Sequence, residues 1–114
     1  MNKQNVTQMM RILMIEPGKA PYPMDAPDDI QLRLDTIGSP IDVLSPTPET
    51  LMFINADGKK LGLRLNRRLP NGELIYGTAY ITGDFHLGRS VSLSESEIHE
   101  LSTLFAEIPN GEIE

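Results

Sequence analysis

Five cations, Lys59, Lys60, Arg64, Arg67 and Arg68, fall within ten positions of a 114-residue chain whose formal net charge is −6. Positive charge gathered so tightly in an acidic protein is the pattern of a seat for an anionic group. A guanidinium is a planar fork that fits phosphate or carboxylate through paired N–H donors. Asparagine can read the edge of a base or ribose, and a tyrosine ring can stack on a base. Arg64, Asn66 and Arg67 are therefore the centre of a candidate ligand site, with Lys19, Tyr22, Tyr76, Thr78 and Tyr80 as its walls. On a strand, Arg64 and Asn66 share a face, whereas Arg67 points the other way unless the strand breaks there. The plainer alternative is that Asn66 caps a turn and the arginines pair with acids on a wet surface, where each pair contributes about 0–1 kcal/mol.

Catalytic signatures are thin. There is no phosphate-cradling Walker loop, no G-x-G-x-x-G and no nucleophile elbow. The absence of cysteine removes thiolate chemistry, zinc–thiolate sites and disulfides. The two histidines, His86 and His99, lack metal-ligand spacing, and an acid–base pair of Asp84 and His86 would have no nucleophile or oxyanion device. The expectation is a non-catalytic protein without metal or cofactor. Its acidity argues against nucleic acid as a partner. MNKQNVTQMM is not a signal peptide, and no window approaches the roughly 20 apolar residues of a membrane span, which reads as soluble and cytoplasmic.

The elements that must position these residues follow from periodicity. Residues 1–10 read as a flexible lead-in, 11–108 as one domain and 109–114 as a tail. Strands are expected at 11–16, 41–44, 50–55, 60–66 and 73–82, with the fourth and third forming a hairpin across Asn55-Ala56-Asp57-Gly58-Lys59. KAPYPMDAPDD reads as a proline-rich loop, a stiff connector or the rim of a pocket. A first helix is expected from about Asp25 to Gly38, burying Ile30, Leu34 and Ile37. A second follows the capping-box spacing of Ser94 and Glu97 and buries Ile98, Leu101 and Phe105. The sum is an α+β fold: a mixed, mainly antiparallel sheet of about five strands with two packed helices. Tyr76, Thr78, Tyr80 and Thr82 form one face of the last strand, and with no cover in view they suggest a homo-oligomer. The residues alone carry the reading no further than a small α+β domain.

The order RILMIEPGKAPY, PIDVL, LMFINADGKKLGLRLNRRL, IYGTAYITG and VSLSESEIHELSTLF resembles an uncharacterised family of small phage and conjugative-element proteins, a domain of unknown function. Pro17-Gly18, the N-x-x-G-K turn of Asn55, Gly58 and Lys59, and G-L-x-L-N-R from Gly62 to Arg67 carry the resemblance. The chain departs from the family at Ser39, where a second glycine is usual, and at Arg64, where proline is common. The resemblance implies an accessory protein of a mobile element that counters defence in its bacterial host. It would do so by sequestering a small nucleotide-derived signal or, alternatively, by capping a host defence protein through its acidic surface.

Overall fold

The apolar run MMRILMI forms the strand β1 (Met9–Ile15), buried along most of its length. In a computed structural model describing residues 9–84 and 90–109, β1 is followed by β2 (Tyr22–Pro27), α1 (Ile30–Ile37), β3 (Ile41–Leu44) and β4 (Thr50–Asn55). Then come β5 (Leu65–Arg68), β6 (Leu74–Tyr76), β7 (Ala79–Asp84), β8 (Ser90–Val91) and α2 (Glu95–Leu104). The main sheet has the order β2-β1-β7-β4-β3, with β8 beside the far end of β7, and β5-β6 form a small second sheet. Every pairing is antiparallel. This is the expected α+β class.

Alternation sorts the core into two layers. Leu13, Ile15, Met52, Ala79 and Ile81 pack with Ile98 and Leu101 of α2, with Phe105 at its end, with Ile75 of the small sheet and with Leu69 just after β5. Ile12, Met14, Leu51, Phe53 and Tyr80 pack on the opposite side with Ile37 of α1. The capping box of α2 forms as its spacing implies. Ser94 Oγ accepts from the Glu97 N–H at 3.1 Å, and Glu97 Oε1 accepts from the Ser94 N–H at 2.8 Å.

Four expectations are corrected. The proline-rich stretch is a strand, β2, because the double-sided apolar β1 needs a partner at the sheet edge. Pro23 and Pro27 share one backbone parity and lack N–H groups, so that parity faces outward, where no donor is needed. The helix consequently starts later, with Asp29 as its cap accepting from the Gln31 N–H at 2.8 Å. Its buried residue is Ile37, whereas Ile30 and Leu34 are 60% and 37% exposed. There is no β4–β5 hairpin either. Residues 57–63 curl into turns held by Leu61 N–H to Asp57 O at 2.9 Å and Leu63 N–H to Gly58 O at 2.9 Å. Gly58 permits the curl, since a Cβ there would lie 2.4 Å from the Tyr76 carbonyl. Finally, the strand expected over 73–82 is broken at Gly77, whose φ is +89°. Tyr76 thus belongs to the small sheet, while Tyr80 and Thr82 lie buried on the central strand.

Both sheet edges are blunted. On β2 two of the outward N–H positions are proline, and on β3 the Val43 N–H is taken at 2.9 Å by the Asp42 carboxylate.

Candidate functional site

Asn66 and Arg67 organise the site from beneath. The β5–β6 register slips between Leu65 and Arg67, a bulge that turns two consecutive side chains inward. Both are buried, Arg67 to 1% exposure. Asn66 Nδ2 donates to the Ile15 carbonyl at 2.9 Å and the Gly77 carbonyl at 2.7 Å. Its Oδ1 accepts from Arg67 Nη1 at 3.0 Å. Among the described residues the Arg67 fork then donates only to uncharged acceptors: the Phe105 carbonyl at 2.7 Å, the Asn66 carbonyl at 3.0 Å, and the Glu16 and Lys19 carbonyls. Phe105 is the C-cap of α2, so the guanidinium also meets the negative end of that helix. Burial pulls its pKa below the ordinary guanidinium value. These donors are spent on the main chain, and what they hold is the Pro17-Gly18 turn.

That turn carries the accessible part of the site. Gly18 has φ +78°, and the Arg64 guanidinium lies over it, 2.7 Å from where a Cβ would stand. Arg64 is exposed and makes no ion pair among the described residues. Beside it, Glu16 accepts from the Tyr22 hydroxyl at 2.7 Å and pairs with Lys19 Nζ at 3.1 Å. The Tyr22 hydrogen bond, then Lys19, holds the Glu16 carboxyl below its usual range, and the same bond pushes the Tyr22 hydroxyl up. The structure therefore brings Lys19, Tyr22 and Arg64 together around one turn, with Arg67 and Asn66 as its foundation.

The remaining wall residues lie apart from it. Tyr76 sits under Lys59, whose Nζ is 5.9 Å from the ring centroid, beside a shallow cavity of about 160 Å³ lined by Asn55, Gly58 and Lys59. Its hydroxyl is buried without a hydrogen-bond partner among the described residues. Thr78 is half-buried between β6 and β7. Tyr80 faces α1, where its hydroxyl accepts from Arg33 Nε at 2.9 Å. Burial raises the Tyr80 pKa, and the Arg33 hydrogen bond acts against that. His86 lies outside the described residues, His99 is exposed on α2, and no metal-binding cluster occurs among the described residues.

Sequence reasoning missed Glu16, the acid that orders Lys19 and Tyr22. Its i, i+3 spacing to Lys19 across Pro17-Gly18 is the signal that points to it. It also missed Arg33, which lies 4.2 Å above the Phe53 ring and pairs with Asp28 at 2.9 Å.

The accessible cluster offers an exposed guanidinium fork on a rigid turn, beside an ammonium group and a phenol that both meet the Glu16 carboxylate, so Arg64 is the group left to hold an anion. Residues 10–106 match the model of DUF3846, a domain of unknown function. The chain belongs to this family. No curated protein and no solved structure matches it. The match runs from β1 through α2, so the locked turn and the arginines around it all lie within the DUF3846 domain. No helix among the described residues is long and apolar enough to cross a membrane.

Proposed function

We propose that this DUF3846 protein is a non-catalytic accessory protein of a phage or conjugative element, acting in the cytoplasm of the bacterial host. It counters host defence by sequestering a small anionic, nucleotide-derived signal. The observation that supports this reading is Arg64. In an acidic chain it holds an exposed guanidinium, unpaired among the described residues, against a glycine turn fixed from below by Arg67. Arg64 and Lys19 bind the phosphate, and the Tyr22 ring offers a wall for the base. Asn66 and Arg67 contribute by holding the turn in shape.

The test is direct. The purified protein is incubated with infected-cell extract and heated, and the supernatant is searched by mass spectrometry for a released, chemically intact nucleotide. A panel of cyclic nucleotides and ADP-ribose derivatives is screened in parallel by thermal shift. A stabilising ligand whose effect disappears in Arg64→Ala but survives in Arg68→Ala supports the reading. No released nucleotide and no shift across the panel overturns it.

A further inference from the structure

Of the three polar groups gathered at the Pro17-Gly18 turn, two are already engaged. The Glu16 carboxylate accepts from the Tyr22 hydroxyl on Oε2 at 2.7 Å and meets the Lys19 ammonium on Oε1 at 3.1 Å. Both carboxylate oxygens thus sit on donors that an incoming anion needs. Arg64 alone of the three is exposed without an ion pair or hydrogen-bonded acid among the described residues. One guanidinium in water holds an anion weakly, because solvent and salt screen the pair. A phosphate group carries more oxygens and more charge than a single fork satisfies, so tight binding requires a second cation. Lys19 is the cation on the same turn, and its acid partner stands in the way.

The turn is built so that only side chains have to move. Its main chain is held from below: Asn66 Nδ2 donates to the Ile15 carbonyl, and Arg67 donates to the Glu16 and Lys19 carbonyls. The Lys19 N–H closes the turn on the Glu16 carbonyl at 3.2 Å. The Glu16 and Lys19 side chains, by contrast, are 23% and 67% exposed, so the carboxylate can swing into water without leaving a bare charge buried. We infer that Glu16 is a resident competitor at this site: an anionic group seated on Arg64 displaces the Glu16 carboxylate and takes over the Lys19 ammonium and the Tyr22 hydroxyl. The exchange replaces one set of oxygen acceptors by another, and it favours a ligand that brings more negative charge than the carboxylate it displaces. The class of group that the site selects is therefore a phosphate dianion rather than a monoanion. The inference rests on the reading of Arg64 as an anion seat, and it adds the charge of the ligand and the residue that sets the threshold.

Pyrophosphate titrated into the full chain at about pH 7 and fixed ionic strength, with the Gly18 and Lys19 amide shifts followed by NMR, reads the affinity. The parent binds, and Arg64→Ala loses the binding. Glu16→Gln keeps the side chain's shape without its charge, and it is expected to bind about fivefold tighter or more. Glu95→Gln, which removes an acid from the exposed start of α2, stays within about twofold of the parent. Lys19→Gln costs more affinity in the Glu16→Gln background than in the parent, because only there is the ammonium released beforehand. If Glu16 instead serves to orient Lys19 and Tyr22 for the ligand, Glu16→Gln has the opposite sign. An affinity of Glu16→Gln equal to or below the parent's overturns the inference and leaves Arg64 as the anion seat. So does a Lys19→Gln loss that is the same in both backgrounds. No binding by the parent and Glu16→Gln alike overturns the inference together with the anion-seat reading.

Discussion

Two arginines turn inward, and they are satisfied in opposite ways. Arg33 has a carboxylate, a phenol and an aromatic face, three side-chain partners gathered under α1. Arg67 meets no carboxylate among the described residues. Among the described residues its bonds run to four main-chain carbonyls and an asparagine amide, drawn from the turn after β1, from β5 and from the end of α2. An arginine of the first kind clips one element to a sheet. One of the second kind stitches segments that share no strand pairing, and removing it leaves several buried carbonyls unpaired at once. The small sheet and the Pro17-Gly18 turn depend on that stitch.

The largest expected effect that breaks the comparison is therefore at Arg67. Arg67→Met is expected to cost about 3 kcal/mol or more in urea unfolding, because the orphaned carbonyls add to the lost charge-assisted bonds. Arg67→Lys should recover little, since an ammonium lacks the planar fork. Asn66→Ala comes next, at about 1–3 kcal/mol by the same measurement, through the unpaired Ile15 and Gly77 carbonyls. Arg33→Ala should cost about 1–2 kcal/mol, with α1 amides exchanging faster while those of α2 are unaffected. Arg64→Ala is expected to change stability by no more than about 0.5 kcal/mol while removing the ligand-induced thermal shift.

The smallest effect is one of pH. The Glu16 carboxyl is depressed in the folded state, so its contribution is present above its ordinary value of 4.5 and fades as pH falls below that. The raised Tyr22 hydroxyl acts in the opposite range, and its contribution is lost as pH rises above 10. Unfolding curves of Glu16→Gln should lack the acid-side component, and a Glu16→Gln curve parallel to the parent's between pH 5 and pH 3 would contradict the assignment.

What could be read in the sequence was whatever depends on neighbours along the chain. The Ser94–Glu97 box, the Gly38 stop and the runs of β1, β3 and β4 are local patterns, and they stand where the pattern placed them. What could not be read depends on partners distant in sequence. β2 is a strand because β1 needs an edge, which its prolines hide. The leucines at 61, 63 and 65 alternate like a strand, yet residues 57–63 curl into turns with Gly58 against Tyr76, and the strand starts only at Leu65. The same holds for the site. Lys19, Tyr22 and Arg64 could be picked out as polar groups near turns. The inward roll of Asn66 and Arg67 comes from a bulge that no local signal marks.

The position of β7 has a consequence for assembly in time. β1–β2 and β3–β4 are local hairpins, each closed by a short connection, and they touch through β7, which pairs with Leu13–Ile15 on one side and Thr50–Phe53 on the other. Without residues 79–84 the two hairpins would have no strand joining their apolar inner edges. Pairing of β7 with both hairpins is therefore expected to be what joins them into one cooperative sheet, at a loop-closure cost that the local hairpins do not carry. During synthesis the nascent chain carries those bare edges until the central strand has left the ribosome, and in that interval the blunted outer edges are its guard against pairing with neighbouring chains.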